Sequence, residues 1–84
     1  MVTEHRPLFK IAYDIEANWD NVYFGARPYI AAMKTLISID EDYFLDSAES
    51  IVIYFLANAR TWRGAEARRV KGELKQILKD HKNG

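Results

Sequence analysis

Apolar residues return at helical spacing in four stretches of this chain. In the first, Leu8, Ile11, Ala12 and Ile15 recur every three or four positions, which predicts a helix from about Pro7 to Asn18. Pro7 suits a first turn, where its missing N–H is not needed. Asp20-Asn21 marks the stop, and Trp19 to Arg27 is expected to be loop. A second helix is predicted from Pro28, which is preorganised for the first helical position and pushes Arg27 out of the α region. Tyr29, Met33, Leu36 and Ile37 form its apolar face, and it should end near Ser38.

Asp40 to Leu45 reads as a connection. Asp46 followed by Glu49 resembles a capping box, so the third helix is expected to begin at Asp46. The run Ile51 to Ala57 behind it is apolar on nearly all sides, as a central helix would be. Thr61-Trp62-Arg63-Gly64 is the next break. From about Ala65 to Asp80 the pattern is clean: Ala67, Val70, Leu74, Ile77 and Leu78 fall within a stripe of roughly 100° at helical spacing. Arg68, Lys71, Lys75, Lys79 and Lys82 line one flank of that stripe, and Glu66, Glu73 and Asp80 the other. The pattern predicts an all-α fold, a compact bundle of four helices with the third, Ile51–Ala59, at its centre. Residues 1–84 make one domain, with frayed ends at 1–5 and 81–84.

Length fits that picture. A chain of 84 residues buries roughly 60–65% of its unfolded surface, enough for one modest core. Half the residues are hydrophobic (49%) and 29% are charged, values of an ordinary globular protein rather than a disordered one. There is no cysteine, which removes disulfides and thiolate metal sites. Met1 to Pro7 lacks an apolar signal-peptide core, and the longest apolar run, Ile51 to Ala57, falls far short of the roughly 20 residues that span a bilayer. The expectation is a soluble protein of the cytoplasm that engages no membrane.

Charge adds a second layer. The total is zero, but residues 1–59 carry four basic and nine acidic side chains (net −5), and residues 60–84 carry eight basic and three acidic (net +5). Such sorting marks a face for an acidic partner or nucleic acid, or two segments that attract each other. The cations Arg60, Arg63, Arg68, Lys71, Lys75 and Lys79 are the candidate binding residues. A solvated flank near the negative end of a helix dipole accounts for them first. Contact with an acidic protein comes second, and contact with phosphates third.

Catalytic and metal chemistry find little support. His5 and His81 lie near opposite ends, without ligand spacing to other donors. Asp40, Asp42 and Asp46 match positions one, three and seven of a calcium loop, but Leu45 stands where glycine is required and Ile51 where the bidentate glutamate belongs. The serines have no evident base, and the glycines form no phosphate-binding loop. No enzymatic activity, metal or cofactor is expected.

Eleven aromatic residues are more than a small core needs, and many fall in connections. Trp19, Phe24 and Trp62 are expected to close the open ends of the bundle as a lid. Tyr23 and Tyr43 are expected to be exposed and to join the binding surface, since tyrosine is common at interface hot spots.

Several segments together resemble a known group: Tyr23-Phe24-Gly25-Ala26-Arg27-Pro28-Tyr29, then Asp46-Ser47-Ala48, then Tyr54-Phe55-Leu56-Ala57-Asn58-Ala59 and Thr61-Trp62-Arg63-Gly64. They are similar to small uncharacterised proteins encoded by bacteriophages and integrated mobile elements of bacteria, over about residues 8–78. The resemblance implies a bacterial host cytoplasm and action by binding a host or phage protein, inhibition of a host-defence CRISPR nuclease being one form. It carries no site residues. The reading is therefore a non-enzymatic protein-binding module. The alternatives are a nucleic-acid-binding accessory protein, which would use the basic last helix, and a homo-oligomeric structural protein such as a homodimer.

Overall fold

The computed structural model describes residues 5–83. Four helices carry the fold: α1 (Leu8–Asn18), α2 (Arg27–Met33), α3 (Ala48–Ala57) and α4 (Ala65–Asn83). A single 3₁₀ turn, Phe24–Ala26, leads into α2, and a two-stranded antiparallel hairpin, β1 (Asp42–Tyr43) and β2 (Asp46–Ser47), leads into α3. The helices contact one another in a ring: α1 on α2, α2 on α3, α3 on α4 and α4 on α1. No helix among the described residues is long and apolar enough to cross a membrane.

The core follows the apolar spacing. Leu8, Ile11, Ala12 and Ile15 of α1, Ile30, Ala32 and Met33 of α2, Ile51, Val52 and Phe55 of α3, and Ala67, Val70, Leu74 and Ile77 of α4 are all buried. On α4 these are the residues of the expected stripe, with Leu78 half-buried at its edge. That helix continues through Asn83, past the fraying expected from residue 81. At the other end His5 Nε2 lies 2.7 Å from Asp80 Oδ2. Residues 1–4 and 84 of the expected frayed ends lie outside the described residues.

Three local expectations are corrected. The fold is mostly helical but not strictly all-α, because the connection at 42–47 pairs as a hairpin, Asp42 opposite Ser47 and Tyr43 opposite Asp46. The third helix is capped one residue later than expected. Ser47 Oγ accepts from the Ser50 N–H at 3.0 Å, while Asp46 is held in β2. The second helix stops at Met33 rather than Ser38. Thr35 Oγ1 donates to the Ala32 carbonyl at 2.8 Å, and the last N–H groups turn to i−3 partners, which tightens the chain out of the helix. The released carbonyls of Leu36 and Ile37 then accept from Phe9 N–H (2.9 Å) and Leu8 N–H (3.0 Å). Those N–H groups belong to the first turn of α1, which has no intrahelical partners for them.

The apolar composition of α3 does not bury all of it. Ile53 and Tyr54 are exposed, with Tyr54 resting against Tyr29 at a ring separation of 5.6 Å. An exposed apolar side chain is common on folded proteins; burial follows position in the ring of helices, not composition.

Candidate functional site

The two ends of α3 carry the surfaces with recognisable chemistry. At its N-terminal end the hairpin turns through Phe44 and Leu45. Both side chains stand in solvent, 86% and 103% exposed, beside the exposed carboxylates of Asp42 and Asp46. Phe44 has φ 55°, the one positive φ outside glycine among the described residues. Two-residue hairpin turns need such a conformation and usually place glycine, asparagine or aspartate there. A bulky residue in that region is an outlier. Tyr43, expected to be exposed, is half-buried against the core, with the Phe44 ring set edgewise to it at 4.8 Å.

At the C-terminal end of α3 the chain folds into a hollow of about 270 Å³ lined by Tyr23, Ala57, Asn58, Arg60 and Thr61. Backbone geometry shapes it. Asn58 caps α3, donating its side-chain N–H to the Tyr54 carbonyl at 2.8 Å. Its Oδ1 and the Tyr23 ring both close over Gly25. A Cβ there would come within 2.8 Å of Oδ1 and 2.5 Å of the ring, so only glycine fits without movement. The Phe24 ring leans on Tyr23 at 4.9 Å and is 75% exposed, so it is no part of a lid.

The lid that does form is made of two indoles. Trp19 and Trp62 are 6% and 3% exposed and stack at 5.4 Å with planes 9° apart, and Trp19 meets Phe55 edgewise at 6.3 Å. Trp62 is held in place from α4. Lys71 Nζ donates to the carbonyls of Ala59 (2.9 Å) and Trp62 (2.6 Å), joining the Trp62 N–H on the first and closing the second, left open beyond α3. Burial, with the neighbouring charges of Lys75 and Arg63, pushes the Lys71 ammonium below its usual range.

Lys71 is thereby engaged in holding the fold, unlike the other candidate cations. Arg60, Arg63, Arg68, Lys75 and Lys79 are exposed and make no ion pair among the described residues. Of the eight basic side chains in residues 60–84, Arg69 pairs with a carboxylate of the acidic segment, Asp14, while Arg60, Arg63, Arg68, Lys75 and Lys79 do not among the described residues. Most of the ion pairs run along the acidic flank of α4, with Lys34 on Glu16 (2.8 Å) apart from them. Arg6 is bidentate on Glu73 (2.7 and 2.9 Å) and reaches Asp14 at 3.0 Å, and Arg69 bridges Asp14 and Glu66. The hydrogen bond with Glu73 chiefly holds the Arg6 guanidinium above its ordinary range. Burial would raise the Asp14 carboxyl, but hydrogen bonds from Arg6 and Arg69 outweigh it and hold Asp14 below the usual carboxylate value.

No group of three or more metal-ligating side chains forms among the described residues. His81 sits 3.2 Å from Asp40 and 4.0 Å from Glu49, a tether between the end of α4 and the segments flanking the hairpin. Of the residues singled out in the sequence, Tyr23 and Arg60 come together at the hollow. Phe44, Leu45, Gly25 and Asn58 were not foreseen. No protein-family model, curated protein or solved structure matches this chain.

Proposed function

We propose that this chain is a small, non-enzymatic protein-binding module that engages its partner through the tip of the hairpin. The observation that carries this reading is Phe44 at φ 55° with its side chain in solvent beside Leu45. A left-handed conformation costs a residue with a Cβ roughly 1–2 kcal/mol, and no burial of the ring offsets it in the free chain. Strain held without local return is common at recognition sites. Two adjacent apolar side chains flanked by carboxylates have the make-up of a hot spot with a polar rim. In the phage or mobile-element setting implied by the resemblance, the partner is a host or phage protein met in the bacterial cytoplasm. Inhibition of a host-defence nuclease by obstruction is one form of that activity.

The test is capture of partners from a bacterial lysate by the tagged chain, with and without nuclease, beside the double variant Phe44→Ser/Leu45→Ser. A protein retained by the parent after nuclease, and lost by the variant, is the expected result. Equal retention by both would remove the hairpin tip from the reading.

A second reading, a nucleic-acid-binding accessory role, rests on the exposed cations Arg60, Arg63, Arg68, Lys75 and Lys79. It requires affinity that falls linearly in log–log with salt, at a slope of about −0.9 per phosphate neutralised on duplex DNA. Loss of every captured partner on nuclease treatment would favour it.

A further inference from the structure

The hairpin tip and the hollow complement each other in shape and charge, yet lie at opposite ends of one helix. The tip presents Phe44 and Leu45 between Asp42 and Asp46, and neither carboxylate has an ion-pair partner among the described residues. The hollow, about 270 Å³, is walled mostly by carbon from Tyr23, Ala57 and Thr61. Arg60 stands at its wall and Arg63 follows in the same loop, both exposed and likewise without an ion pair among the described residues. A cavity of roughly 150 Å³ already admits benzene, so the hollow has room for one benzyl side chain. It is below the roughly 300–1,000 Å³ typical of cofactor and drug-sized ligand pockets. The ten residues of α3 put about 15 Å between its ends, so a tip cannot reach the hollow of its own chain.

We infer that the hairpin tip of one copy docks in the hollow of a second copy, so that the chain assembles head to tail; this rests on the reading of the tip as a protein-binding element. Phe44 fills the hollow, Leu45 lies on the exposed Tyr23–Phe24 pair, and Asp42 and Asp46 face Arg60 and Arg63 of the second copy. The charge match fixes orientation and speeds encounter, while the apolar insertion holds the contact. With one tip in one hollow, rather than the reciprocal exchange of tips that would close a two-fold pair, every docked pair still has one free tip and one free hollow. Association is therefore heterologous. It grows into open chains or closes into a ring of more than two copies, unlike a two-fold homodimer, whose single shared patch is used up at once.

Sedimentation equilibrium of the full chain over a wide concentration range tests this. The expected result is an average mass that rises with concentration past twice the monomer, and falls back to the monomer in Phe44→Ser/Leu45→Ser and in Arg60→Glu. The first variant keeps an intact hollow and the second an intact tip. Mixed in equal amounts, they should form a dimer and nothing larger, because the pair's free tip and its free hollow are both dead. Both substitutions are at exposed positions, and an unchanged helical circular-dichroism spectrum verifies the fold. A parent chain that stays monomeric throughout, a mass that saturates at a dimer, or a mixture that remains monomeric would each overturn the inference. A monomeric parent whose tip is still required to retain a lysate protein would leave the module reading intact. Equal lysate capture by parent and tip variant would remove that reading instead.

Discussion

The two ends of α3 treat large apolar side chains in opposite ways. Beyond its C-terminal end, Trp62 folds back and stacks on Trp19, and the pair closes the core beside Phe55. Before its N-terminal end, Phe44 and Leu45 stand free. Both pairs are in connections and both are strongly apolar. They differ in what the backbone gives them to fold onto. The loop after α3 is drawn against α4 by Lys71, which brings the indole over a packed surface. In the hairpin, with two paired positions per strand, only Tyr43 packs against the core, and the turn beyond it is left in solvent. Burial here follows from anchoring, not from hydrophobicity alone.

The largest expected effect tests the closed end. Trp62→Ala removes one half of the indole stack and opens a cavity beside Trp19, at a cost of about 3–5 kcal/mol. Against a total stability of about 5–15 kcal/mol, that leaves a chain close to unfolding. Urea denaturation should show a large drop in midpoint for Trp62→Ala and almost none for Phe44→Ser/Leu45→Ser. Similar losses in the two variants would break the contrast between the ends.

A smaller effect separates two lysines of the same flank. Lys71→Met keeps the apolar stem but leaves the Trp62 carbonyl without its donor, while the Ala59 carbonyl keeps the Trp62 N–H at 3.1 Å. Unsatisfied buried acceptors cost about 1–3 kcal/mol, the upper part applying where the lost donor was charged. Lys75→Met, four residues on and exposed, should stay within about 0.5 kcal/mol of the parent. The same urea midpoints decide it. Equal values would mean that Lys71 does not anchor the loop. This also bears on binding tests: reversing the charge of Lys71 would damage the fold, so Lys75 and Lys79 are the sound probes of the basic flank.

The sequence made some of this legible and hid the rest for physical reasons. α1 and α4 show apolar residues at helical spacing over about two and three turns respectively, and the periodicity is sufficient to place both helices and their buried faces. α2 is ended by bonds to another element. Its continuation through Ser38 is locally reasonable, and it fails because the Leu36 and Ile37 carbonyls cap α1. The hairpin has strands of two residues, too short to alternate, and Phe-Leu where an Asn-Gly signal would announce the turn. Asp46 and Ser47 both carry cap-forming side chains, and the hairpin pairing that holds Asp46 in β2 gives the role to Ser47. The hollow joins Tyr23 to residues 57–61 through a close backbone approach at Gly25, and no local pattern reports that. One signal was present and went unused. Gly25 sits between two aromatic-rich stretches, and a glycine before a predicted helix start marks a place where something packs close.

The smallest expected effect is the most informative about the open end. Phe44→Gly removes a side chain that is 86% exposed and frees a backbone held at φ 55°. Relief of the left-handed conformation gains roughly 1–2 kcal/mol. Against it stand the extra chain entropy of glycine, about 0.5–1 kcal/mol, and the loss of the edgewise contact with Tyr43. The terms nearly cancel, so the variant should be as stable as the parent to within about 0.5 kcal/mol, the range of a neutral surface change. A Phe44 retained for the fold would behave otherwise, and its loss would lower the urea midpoint by more than that. A residue retained for contact shows unchanged stability together with weakened association. The midpoint and the sedimentation mass, measured on the same sample, separate these two origins of an exposed aromatic residue.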